Sequence, residues 1–226
     1  MTRLVLASAS PARLSTLRAA GVEPLVTVSG VDEDAVLAAA TTRQGSLQPA
    51  EVALLLARAK AEAVAADLDG DLVVLGCDSL LELGGDIHGK PATAAEVIGR
   101  WRSMRGRSGV LHTGHWLIDL RSSGAGGEVG AVASTVVHFA DVTDDEIEAY
   151  VATGEPLQVA GAFTLDGFGG AYVDGVEGDH HNVVGLSLPL LRRMLSRVHV
   201  SWHTLWTAAR EGEPRTSPPR TQQTRQ

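Results

Sequence analysis

The chain has 226 residues, 44% of them apolar and 20% charged, which marks a globular protein with room for one large domain or two lobes. Its net charge of −8 works against general nucleic-acid binding, so a polyanionic ligand needs a local cationic cluster, a divalent metal, or both. No apolar run approaches a membrane span, and Ser8, Ser10 and Arg13 break the N-terminal run too early for a signal peptide.

Arg3 to Gly21 reads as an apolar strand, a two-serine turn and an amphipathic helix. Ser10 suits the N-cap, Pro11 the first helical position and Gly21 the residue after the C-cap. A strand feeding a helix N-terminus aims free N–H groups and a positive dipole end at one spot, a setting for an anion. Arg13, in the first turn, adds a charge suited to phosphate, unless it only points into water. Residues 22–31 predict a second strand ending at Asp32-Glu33-Asp34. Three carboxylates there suit a hard cation such as Mg²⁺, or else a solvated loop or a helix cap.

A loop at 45–49 precedes a long helix, Ala50 to Ala66, with Val52, Leu55, Leu56, Ala59 and Ala63 along its apolar side and Lys60 near its middle. Leu72–Gly76 is a short, continuously apolar strand of the kind found in sheets covered on both faces. It delivers Asp78 at its end, the candidate for a general base or metal ligand. A separate strand, Ser79–Leu83, follows, then a Gly84-Gly85 hairpin turn and a loop carrying Lys90. Gly84 and Gly89-Lys90 imitate a Walker A motif, but Pro91 stands where its Ser or Thr belongs, so no P-loop is present. The lone cysteine, Cys77, cannot form an internal disulfide, suits a reducing cytoplasm and reads as a small buried strand residue.

Thr93 caps a helix to about Arg105, where Arg100, Arg102, Arg105 and Arg107 form a basic run, ordinarily a solvated face. Strands at about 109–120 and 128–139 follow, with His112 and His115 on opposite faces. Thr143 to Glu146 is a capping box opening a helix to Ala152. Residues 160–176 read as a loop or irregular strand beside a cleft, and Pro189–Val198 as the last helix. Asp179-His180-His181 is a weak metal motif, because adjacent histidines are expected to diverge. The domain spans 1–210, with Trp202–Trp206 docked on it, and 211–226 is a disordered tail rich in Pro, Arg, Thr and Gln.

In this order the pieces resemble the Maf family of nucleoside triphosphate pyrophosphatases over roughly residues 3–195. The resemblance rests on Leu6-Ala7-Ser8-Ala9-Ser10-Pro11-Ala12-Arg13, Glu33, Leu56 to Ala61, Gly76-Cys77-Asp78-Ser79 and Gly89-Lys90-Pro91. Thr113-Gly114, Thr135 to Phe139, Tyr150 to Pro156, Ala160-Gly161-Ala162 and Asn182 to Leu186 extend it. It implies an α/β fold, two-lobed around a mixed sheet and related to inosine triphosphatases, with a cleft between the lobes, commonly dimeric. It also implies hydrolysis between the α and β phosphates of a nucleoside triphosphate with Mg²⁺ or Mn²⁺. By position, Asp78 is the expected base, Glu33 with Asp78 the metal site, and Arg13, Lys60 and Lys90 the phosphate cations. The resemblance also implies that Ser8 and Ser10 line the same pocket and that positions 12, 79 and 166, here Ala12, Ser79 and Asp166, tune base selection.

Four positions depart from the family pattern: Ala12 replaces a second arginine, Val159 a lysine, Asp166 a glutamine and Gly109 a histidine. These departures predict a change in the base that is read, with the reaction kept. Within the enzyme class the alternative is narrow activity on 7-methyl-GTP or on dTTP and UTP. From another class it is a regulatory protein of septum formation with a degenerate site. The 4% aromatic content and the charge disfavour an RNA-binding module.

Overall fold

The computed structural model describes residues 2–122, 124 and 126–207. Among them seven strands form one mixed sheet. Its centre is β1 (Arg3–Ala7), β3 (Leu72–Leu83), β5 (Ser108–Asp119) and β6 (Gly127–Phe139), and its edges are β2 (Leu25–Val26), β4 (Asp86–His88) and β7 (Val173–Glu177). The order is β2-β1-β3-β5-β6-β7, with β4 also on β3. β1 is parallel to β2 and β3, and the other pairs are antiparallel. The helices are α1 (Pro11–Ala19), α2 (Glu33–Gln44), α3 (Pro49–Ala65), α4 (Ala94–Met104), α5 (Asp144–Ala152), α6 (His180–Val184) and α7 (Leu188–Arg197).

Alternation along β3 separates the two sides of the sheet. Leu75 and Cys77 join Leu17 of α1 and Leu191 and Leu195 of α7 in one buried cluster. Leu81 and Leu83 join Trp101 of α4, Tyr150 of α5 and Phe163 in a second. These clusters are the two lobes, and a polar seam at Ser79 and its partner Thr113 lies between them. On the opposite face α3 lies very close to the sheet. A β-carbon on Gly76 would stand 2.1 Å from the Ala57 carbonyl oxygen, and one on Gly114 2.2 Å from that of Ala53. Ala53, Ala57 and Ala61 are correspondingly fully buried.

Several sequence expectations change here. The second strand shrinks to Leu25–Val26, with Val28 left 65% exposed, because pairing with β1 ends at the hydrogen bond from Thr27 N to Leu6 O. The acidic run opens α2, a helix that the sequence does not announce, and Asp32 Oδ1 caps it by accepting from Ala35 N at 3.0 Å. α3 buries Ala53, Ala57 and Ala61 in place of the expected Ala59 and Ala63, since the closest approach to the sheet admits only small side chains. Leu72–Gly76 and Ser79–Leu83 are one strand, held by unbroken pairing to β5 from Val73 to Glu82. Val173–Glu177 is an edge strand.

Other expectations hold. Leu83 and Asp86 pair across the glycine turn, which removes the P-loop imitation. Trp206 docks by an antiparallel bridge to Val22. The disordered tail expected at 211–226 is not among these, since it lies outside the described residues. No helix among those described is long and apolar enough to cross a membrane.

Candidate active site

The cleft exists because one edge of β3 loses its neighbour. Pairing with β1 stops at Gly76, where α1 turns that chain away, and pairing with β4 resumes only at Leu81. Asp78, Ser79 and Leu80 therefore face an opening of about 440 Å³ that Ser10, Ala12, Arg13, Glu33, Lys60 and Lys90 also line, while Cys77 turns into the core. Asp78 is mid-strand, not at a strand end, but it occupies the first free stretch beyond the parallel pair. Strand alternation then aims Asp78 toward α3 and Ser79 toward α1 and α6.

On the α3 side, Lys60 Nζ contacts Asp78 Oδ1 at 2.5 Å and Glu33 Oε1 at 2.8 Å. Lys60 and Asp78 are each 13% exposed, and Glu33 is 48% exposed at the mouth. Burial drives the Asp78 carboxyl above its ordinary pKa, opposed by the Lys60 and Arg13 charges. A carboxylate held with its proton affinity raised is suited to accept a proton from water.

On the other side Arg13 is a crosslink. Its Nε donates to Gly185 O at 2.7 Å, Nη1 to Ser8 Oγ at 2.9 Å and Nη2 to Ser79 Oγ at 3.0 Å. Three of its five N–H donors tie the turn after β1, strand β3 and the C-cap of α6 together, leaving two N–H groups over. Ser79 Oγ also contacts Thr113 Oγ1 at 2.9 Å, which donates to Asn182 O at 3.1 Å. Ser8 thus stands behind Arg13, while Ser10 caps α1 and lines the cleft. Lys90 approaches from the opposite wall and donates to Gln158 Oε1 at 3.2 Å. Sequence reasoning misses Gln158; it sits in a 3₁₀ turn after Pro156, and no spacing rule marks such a residue.

Ala12 and Val159 both line the cleft, so the two positions where the resemblance leads one to expect cations are apolar here. Asp166 lies apart, in a neighbouring cavity of about 350 Å³ with Ser15, Thr16, His180 and His181. Gly109 is away from the cleft, where a β-carbon would meet Leu81 and the Glu82 carbonyl. His180 and His181 do not diverge: their ring centres are 3.8 Å apart. Asp179 Oδ1 caps α6 through His181 N and also contacts His181 Nδ1. The basic run is dispersed, with Arg102 and Arg105 on Asp144 and Arg100 buried. Cys77 is a core thiol, pushed by burial up to about 12.

The Maf-like protein family profile matches residues 3–198. The chain belongs to the Maf family. A nucleoside triphosphate pyrophosphatase of Salinispora tropica is 56% identical over 216 residues, covering 94% of this chain and 91% of the relative. Another from Streptomyces coelicolor is 56% identical over 211 residues, covering 92% and 97%. Among solved structures, a nucleoside-triphosphatase (dITP/XTP pyrophosphatase) of Mycobacterium abscessus matches at TM-score 0.37 and 15% identity, covering 88% and 96%. Each of the sequence motifs that carry the resemblance falls inside the Maf-matched segment.

Beneath this Maf site, His115 is fully buried. Its Nδ1–H donates to Thr113 O at 3.0 Å, and Nε2 accepts from Ser187 N at 2.9 Å, which requires the neutral ring. Burial lowers its pKa from 6.5 to about 4. The unfolded chain therefore gains a proton near pH 6.5 that the folded chain refuses until about pH 4. Stability is complete above pH 6.5 and falls below it, by about 2 kcal/mol between pH 7.5 and 5. Denaturant unfolding at the two pH values measures this, and His115→Gln flattens that slope. Equal slopes in both proteins remove His115 as the cause.

Proposed function

We propose that this chain hydrolyses nucleoside triphosphates to the monophosphate and pyrophosphate. The observation that carries the reading is the Glu33–Lys60–Asp78 network, facing Arg13 and Lys90 in one cleft. A triphosphate brings nearly four negative charges, while the cleft holds three cations against two carboxylates on a protein of net charge −8. The donor set fits a hard divalent cation, since two carboxylates converge on a single ammonium. Glu33 and Asp78 would hold Mg²⁺ or Mn²⁺, which when bound neutralises phosphate charge and lowers the pKa of water.

The chain's own groups supply the rest. Asp78 takes the proton from the attacking water, whose oxygen bonds to the α-phosphorus as the bond to the bridging oxygen breaks. Lys60, freed from bridging the carboxylates, and Lys90 balance charge developing on the departing pyrophosphate. Arg13 contributes its two remaining N–H donors while holding Ser79 in place. A protein that only bound a partner, such as a septum regulator, would have no use for this buried base. Ala12 and Val159 leave the cleft less cationic than the family pattern, and we assign them, with Ser79 in the cleft and Asp166 in the adjoining cavity, to the choice of base. The protein acts in the cytoplasm, as a homodimer, without nucleic acid.

The test is hydrolysis in ¹⁸O-water with Mg²⁺ or Mn²⁺ across common and modified nucleoside triphosphates. Label in the monophosphate, with pyrophosphate as co-product, is the expected result. A diphosphate with inorganic phosphate, or label in the pyrophosphate, overturns the reading.

A further inference from the structure

Arg100 is a buried charge that the mechanism does not use. Its side chain is 5% exposed, on the face of α4 behind the wall that carries Lys90. Arg100 Nη1 donates to Gly89 O at 2.6 Å, and Nη2 to Glu96 Oε1 at 2.6 Å. The other carboxylate oxygen, Glu96 Oε2, accepts from Ala92 N at 2.9 Å. One ion pair therefore grips both ends of the 89–92 loop, with Lys90 and Pro91 between its two holds. Gly89 O takes a second hydrogen bond, from Gly161 N at 3.2 Å, which joins the loop to the turn beside Gln158 and Val159.

Burying a guanidinium is expensive unless it is paired, and an apolar side chain beside Val97, Trp101 and Met104 would serve stability at least as well. The charge has another use. A lysine has four rotatable bonds and acts as a point charge, so its effect on a phosphate depends on where its backbone is held. We propose that Arg100, acting through Gly89 and with Glu96, is a positioning residue that sets Lys90 on the phosphate side of the cleft. The inference rests on Lys90 being a phosphate contact.

The test is a double-mutant cycle on the full-length protein, read as kcat and KM for pyrophosphate release alongside thermal unfolding. Arg100→Met is expected to lower kcat/KM about tenfold. In the Lys90→Met background the same change should cost less than about twofold, because the group it positions is gone. Arg100→Lys, which keeps the charge and can reach one carbonyl, should recover part of the loss. If Arg100→Met does not fold, Glu96→Gln with Lys90→Met runs the same cycle on the other half of the grip. Equal losses in both backgrounds overturn the positioning role while leaving Lys90 a phosphate contact. A Lys90→Met protein as active as wild type removes the reading of Lys90, and this inference with it.

Discussion

Asp78→Asn is expected to lower kcat/KM for pyrophosphate release about 10³-fold, with unfolding temperature near or above wild type. Asparagine preserves the shape and an acceptor for Lys60 but cannot take the proton from water. Stability should hold because burial already penalises the carboxylate at this position, raising its pKa against the pull of Lys60 and Arg13. Lys60 keeps Glu33 as a partner at 2.8 Å. Loss of activity in a well-folded variant separates chemistry from scaffolding. Activity within threefold of wild type at saturating metal would move the base elsewhere in the cleft.

Gly76→Ala should be strongly destabilising. Its β-carbon would lie 2.1 Å from the Ala57 carbonyl oxygen and 2.8 Å from Ala61 N, both backbone atoms of α3. No rotamer relieves such a contact, so helix and sheet must separate, costing about 3 kcal/mol or more. The helix that moves carries Lys60, so activity should fall with stability. Gly99→Ala is the control: it lies in α4 with nothing within 4 Å of its β-carbon. That change should stabilise by about 0.5–1 kcal/mol. Urea unfolding of both variants decides the matter, and a Gly76→Ala midpoint equal to wild type would refute the close approach.

Part of the fold is legible in the order of residues, where it is built from local signals. The Ser10-Pro11 helix start, the glycine turn at 84–85 and the Thr143 capping box depend on backbone chemistry within a few residues, and each forms as read. α2 is hidden because an alanine-rich helix with only Ala40 buried has a weak apolar period. The buried face of α3 is ambiguous for the same reason, with alanine on several sides.

Composition argues against a nucleic-acid binder and calls for a concentrated cationic site, and the resemblance to the family, carried position by position, singles out Arg13, Glu33, Lys60, Asp78 and Lys90 as its candidates. Charge and residue type are properties of the chain itself. Tertiary structure alone decides that Lys60 bridges Glu33 and Asp78, because this depends on how near Gly76 and Gly114 let α3 come to the sheet. It alone turns Arg13 into a crosslink to Ser79 and Gly185, buries Arg100 behind Lys90 and sets Asp166 in a cavity of its own. These contacts join residues far apart in the chain, so they follow from packing distance and strand pairing, which no local spacing encodes.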